Sequence, residues 1–154
     1  MSVADETFLK VQRILISLGF SPNLLPNNAL RLRFSDLSTE TIVSVHETEL
    51  EHDGEKLTYV QVAAPVLFDV PIRPALLEWL ALGRPSTLFG RFVIVTEQAG
   101  ASQGMLIFEH GLIGNFLDPG ELKTAIGVVL SLANEVDDSL AKQFGGRVAH
   151  PAAS

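Results

Sequence analysis

Near the C-terminus, Leu122, Ile126, Val129, Ala133, Val136, Leu140 and Phe144 step by four and three residues. That spacing lays them on a single apolar stripe of an α-helix. Asp118–Pro119–Gly120–Glu121 supplies a capping carboxylate, a first-turn proline and a glutamate at the third helical position, the arrangement of a capping box. Gly145–Gly146 ends the pattern. At ~1.5 Å per residue such a helix is about 39 Å long, enough to lie across a whole sheet. Its larger apolar side chains, at ~1.5–3 kcal/mol each when buried, make it the main clamp on the fold.

The rest of the chain supplies a sheet to be clamped. Phe8, Val11, Ile14, Leu15 and Leu18 predict a first helix, with Asp5 as its N-cap and Gly19 at its end. Ser21–Asn28, rich in proline and asparagine, reads as a loop. Strands are expected at Leu30–Phe34, Thr41–Glu47 and Leu57–Ala64. The polar segment Thr48–Lys56 joins the last two and carries the turn pair Asp53–Gly54. A short helix is expected over Pro74–Leu82, then strands over Phe89–Thr96 and Met105–Glu109, with a turn at His110–Gly111. The order α-β-β-β-α-β-β-α describes an α+β domain with an antiparallel five-stranded sheet and the long C-terminal helix packed on it. One domain over residues 1–146 is expected, with residues 147–154 a disordered tail.

Composition narrows the function classes. The chain has 154 residues and a formal net charge of −7, and an acidic balance argues against nucleic acid or an anionic membrane as partner. Met1–Lys10 has no apolar run of the kind a signal peptide needs, and no stretch is long and apolar enough to span a bilayer. A soluble, cytoplasmic protein is the expectation. It holds no cysteine, so neither disulfides nor thiolate metal sites enter.

Three patterns bear on catalysis or metal binding. Gly100–Ala101–Ser102–Gln103–Gly104 matches G-x-S-x-G, with Asp137 and His150 following in the chain order of an α/β hydrolase. A nucleophile elbow needs a strand turning into a helix, whereas Ser102 falls between two strands, where a hairpin connection is expected. A small serine hydrolase is therefore the third-ranked reading. His46, Glu47, Glu49, Glu51, His52 and Asp53 crowd potential metal ligands. Along an extended strand His46 and His52 lie about 20 Å apart, so a solvated hairpin tip is expected and no metal site. Gly83–Gly90 lacks the lysine and spacing of a phosphate-binding loop. No cofactor is expected, and the chain reads as a non-enzyme.

Its functional content is the apolar surplus, 47% hydrophobic residues and a mean hydropathy of +0.29. The last two expected strands are apolar on both faces, and strands of that type need cover above and below. If the long helix covers one face only, Val93, Val95, Met105 and Ile107, with Tyr59, offer a shelf for an extended peptide. Trp79, among leucines on the short helix, fits either ordinary core or an interface anchor.

Phe89–Gly90–Arg91–Phe92, Leu117–Asp118–Pro119–Gly120–Glu121–Leu122, Val136–Asp137–Asp138 and Phe144–Gly145–Gly146 resemble the pattern of YbjN-like domains. Those domains are grouped with type III secretion chaperones of the CesT/Tir type among peptide-binding chaperone-like proteins. The resemblance covers Leu76 to Gly146. It implies the same element order, a homodimer, and a non-catalytic role in holding a partner polypeptide on hydrophobic patches. It also implies that the short helix, with Leu76, Leu77, Trp79 and Leu80, pairs the subunits. A regulatory or structural protein with one dedicated partner is the alternative reading.

Overall fold

Ser2 opens the first helix, α1 (Val3–Ser17). Its hydroxyl accepts from the Asp5 amide, and the Asp5 carboxylate accepts from the Ser2 amide. The cap is thus Ser2, and Asp5 occupies the third helical position instead of capping as expected. The carboxylate does more there, because it closes the reciprocal pair and faces the positive end of the helix. The computed structural model describes residues 1–34, 40–83 and 89–149.

Among the described residues a sheet of seven strands follows, not five, and every pairing in it is antiparallel. The strands are β1 (Asn23–Leu25), β2 (Ala29–Arg33), β3 (Glu40–His52), β4 (Glu55–Pro71), β5 (Arg91–Val95), β6 (Gln103–Ile113) and β7 (Arg147–Val148). Their order across the sheet is β1-β2-β3-β4-β6-β5, with β7 set beside β4. The extra strands lie where an apolar pattern gives no signal. β1 falls in the expected loop and pairs Leu24 with Leu30 around a turn whose Asn27 and Asn28 take positive φ. β7 falls in the expected tail; residues 150–154 lie outside the described residues.

The β3–β4 hairpin runs well past the expected strand ends, to a turn at Asp53 (φ 51°) and Gly54 (φ 79°). Two successive positive φ values match the right-handed twist of the flanking strands, so pairing continues to the tip although its residues are polar. β6 likewise runs through His110 and Gly111, which pair with Val62 and Gln61 of β4.

Pro74 begins α2 (Pro74–Glu78), which widens into a π-helical turn over Trp79–Gly83. The expected capping box holds in α3 (Pro119–Phe144), where the Asp118 carboxylate accepts from the Glu121 amide and the Glu121 carboxylate from the Asp118 amide. Leu122, Ile126, Val129, Ala133 and Leu140 of α3 are buried with Phe8, Val11 and Leu15 of α1 against Val43, Val60, Val62, Leu106 and Phe108. Leu76 of α2 joins the same cluster. All three helices therefore feed one core on one side of the sheet.

Candidate functional site

Side chains alternate along a strand, so the residues between those core positions point to the opposite face. On β4 these are Tyr59, Gln61, Ala63 and Pro65. Cross-strand pairing continues the face through Ser44 and His46 on β3, Ile107, Glu109, Gly111 and Ile113 on β6, and Arg91, Val93 and Val95 on β5. Among the described residues no helix lies on this side.

All five residues expected to hold a peptide share this face, but they do not form one patch. Val93 pairs with Ile107 and Val95 with Met105, giving a tight apolar strip on the last two strands of the sheet. Ile107 is buried within it, while Val95, at 42% exposed, is open. Tyr59 pairs with Ile113 whereas Pro65 pairs with Ile107. At about 3.4 Å per residue this leaves Tyr59 roughly 20 Å from the strip.

A polar band crosses the face between them. Glu109 is only 4% exposed, and both carboxylate oxygens are engaged. Arg91 Nε donates to Oε1 at 2.8 Å, and Gln61 Nε2 donates to Oε2. The Ser44 hydroxyl donates to Gln61 Oε1 at 3.4 Å and lies 2.9 Å from His46 Nε2. The band so links β3, β4, β6 and β5, with the outward-facing His46 and Arg91 at its ends. A buried carboxylate with both oxygens satisfied is a stable fixture, so the band holds its geometry while a guest lies over it. Sequence reasoning missed it. Arg91 and Glu109 are separated along the chain, and only the β5–β6 register sets them opposite each other.

Tyr59 borders this band. Its ring lies over Gly111, where an added Cβ would come within 2.2 Å of a ring carbon. Burial lifts the phenol above its usual 10.0, the Glu109 charge pushes it the same way, and Arg91 opposes both.

At the far end of the strip an open cavity of about 610 Å³ is lined by Val95, Met105, Phe68, Asp69, Ser102 and Gln103 among others. Ser102 sits in the β5–β6 hairpin loop, where its carbonyl accepts from the Ile72 amide at 2.9 Å. The strand-to-helix turn required of an elbow is thus replaced by a strand-to-strand loop. Asp137 lies on α3, and His150, like residues 84–88 of the segment compared with a phosphate loop, is outside the described residues. His46 packs beside Tyr59 and His52 beside Phe116. Among the described residues no three histidines or carboxylates gather in a way that could hold a metal ion, and no helix is long and apolar enough to cross a membrane.

The four residues expected to pair subunits divide by direction. Leu76, 1% exposed, is buried in the chain's own core, and Trp79 and Leu80 are half-buried against it. Leu77 is 48% exposed, and the neighbouring Leu82 is 83% exposed.

The family model described as "T3SS (YopN, CesT) and YbjN peptide-binding chaperone 1" matches residues 40–152. That span takes in β3 and β4, beyond the stretch in which the sequence motifs lie. Among solved structures, YbjN from E. coli, described as a proposed transcription regulator, aligns with a TM-score of 0.57 at 16% identity, covering 89% of this chain and 93% of that one. At that identity the likeness is one of fold. No curated protein matches the chain.

Proposed function

The chain belongs to the family of T3SS and YbjN peptide-binding chaperones, and from that premise we propose a non-enzymatic, cytoplasmic homodimer that holds a segment of a partner polypeptide on the helix-free sheet face. The observation that carries this reading is the strip Val93, Val95, Met105 and Ile107 beside β5, a strand that ends the sheet. An extended segment laid along β5 finds an edge that no described strand pairs and apolar ground for alternate side chains. Leu77 and Leu82, exposed beside the half-buried Trp79 and Leu80, supply the apolar surface for a second copy.

The test is fluorescence anisotropy with a panel of labelled, unstructured peptides rich in aliphatic residues. Binding by the native chain, lost in Val95→Lys and in Met105→Lys with the fold intact, supports the reading. Equal binding by all three chains, or none by the native chain, sinks it. Light scattering tests the dimer separately.

A second reading is favoured by the structural neighbour described as a proposed transcription regulator. Here the same surface serves one dedicated regulatory protein. The charge of −7 favours action through a protein over direct contact with DNA. A pull-down yielding one stoichiometric partner favours this reading, and several unfolded proteins favour the first.

A further inference from the structure

β4, with 17 residues, outruns the 13-residue β3 beside it. Its last pairing with β3 is Ala63 with Ile42, while on the other side β6 accompanies it to Pro71. Beyond Ala63, among the described residues, the β3 side of β4 is a slot occupied by residues 147–149. Leu67 pairs with Val148 and Phe68 with Arg147, and the Ala149 amide donates to Val66 at 3.0 Å.

Several features make this short strap a fitted occupant. Asp69 takes φ 54° within an irregular stretch of β4 and meets the Arg147 guanidinium, whose Nε and Nη2 reach Oδ2 at 2.9 and 2.8 Å. The same guanidinium lies 5.5 Å above the Phe68 ring. Gly145 and Gly146 both take positive φ, and a Cβ at Gly146 would fall 2.7 Å from the Phe68 carbonyl oxygen. The strap thus passes flush against β4, joined to the end of α3 by two glycines in a conformation that side chains rarely adopt. Among the described residues it is held by two residue pairs and by the half-buried Val148 against the core, while both ion-pair side chains are more than half exposed, a setting in which such a pair alone adds little.

We propose that residues 147–149 are a displaceable stand-in for a guest, and that the slot accepts an extended segment in which an arginine precedes a small aliphatic residue. Asp69 and Phe68 read the arginine, and the main chain of Val66–Phe68 reads the extended backbone. Phe68 and Asp69 also line the cavity shared with Val95 and Met105, so the slot adjoins the apolar strip. The biological partner of the slot rests on the peptide-binding reading above; the exchange of the strap does not.

The test is NMR titration of the ¹⁵N-labelled full chain with the synthetic hexapeptide Phe-Gly-Gly-Arg-Val-Ala. The tethered strap competes at an effective concentration in the millimolar range. Arg147→Ala weakens that competitor, so the peptide is expected to bind this variant about 10-fold more tightly than the native chain. The Leu67, Phe68 and Asp69 amides should shift on binding. Adding Asp69→Asn, or replacing the peptide's arginine by alanine, should abolish the gain. Equal affinity for native and Arg147→Ala chains overturns the proposal, as does the absence of shifts at those amides. Peptide binding confined to Val93, Val95, Met105 and Ile107 and indifferent to Asp69→Asn would defeat the slot and leave the face reading standing. Strap exchange without binding on that strip would do the reverse.

Discussion

The Trp79 ring lies 5.4 Å from that of Phe144 at an interplanar angle of 55°, and 5.2 Å from Phe92. The π-helical turn after α2 is thereby tied to the last turn of α3 and to the edge strand β5. Tilted aromatic pairs at such distances contribute about 0.5–1.5 kcal/mol beyond the area they bury. Trp79→Ala should cost about 3 kcal/mol in urea unfolding followed by circular dichroism. A double-mutant cycle with Phe144→Ala should return a coupling near 1 kcal/mol. Additivity within about 0.3 kcal/mol would show that the ring contact carries no energy.

The outward side of the same segment should behave differently. Leu77 and Leu82 are exposed, so Leu77→Glu and Leu82→Glu should leave unfolding midpoints within about 0.5 kcal/mol of native. Burying a carboxylate in an apolar interface is costly, so both changes should shift a dimer toward monomer in sedimentation equilibrium. An unchanged mass at micromolar concentration would remove α2 from the subunit contact.

How much of this was legible in the sequence depended on whether a residue's role is local. α3 could be read end to end because its apolar period and its Asp118–Glu121 box are properties of the segment itself. Asp53–Gly54 likewise announced its turn. β1 and β7 escaped because strands so short are made by the edges they join, Leu24 by Leu30 and Val148 by Leu67. Leu76 and Leu77 could not be told apart, since a helix apolar nearly all round has no stripe to orient it. Of the candidate face, the strip was legible from double-sided apolar strands. The band through Gln61, Glu109 and Arg91 exists only once the register is set.

That band predicts an order of damage. Arg91→Ala leaves the buried Glu109 carboxylate without its cation, and breaking such a pair from one side costs several kcal/mol. With Gln61 still donating and Arg91 itself largely exposed, about 2 kcal/mol is expected. Glu109→Gln keeps the shape and much of the hydrogen bonding, and should cost less than Arg91→Ala. Chemical unfolding of both variants checks the order, and a more stable Arg91→Ala would contradict the pairing.

The chain's only tyrosine is Tyr59, so absorbance at the phenolate band titrates that ring alone. Its midpoint should lie above 10.0 in the folded protein, from burial first and the Glu109 charge second. Removing the charge in Glu109→Gln should lower the midpoint, and removing the opposing cation in Arg91→Ala should raise it. The sign for stability follows from proton binding. Above about pH 10 the unfolded chain releases the phenol proton while the folded chain keeps it, so the unfolded state binds fewer protons and stability falls as pH rises. The contribution is complete below the unfolded value and is lost as pH climbs through the folded one. Gly111→Ala drives a methyl group into the ring and should push Tyr59 outward, returning its midpoint toward 10.0. A midpoint unmoved by all three substitutions would mean that Tyr59 does not sit against the band.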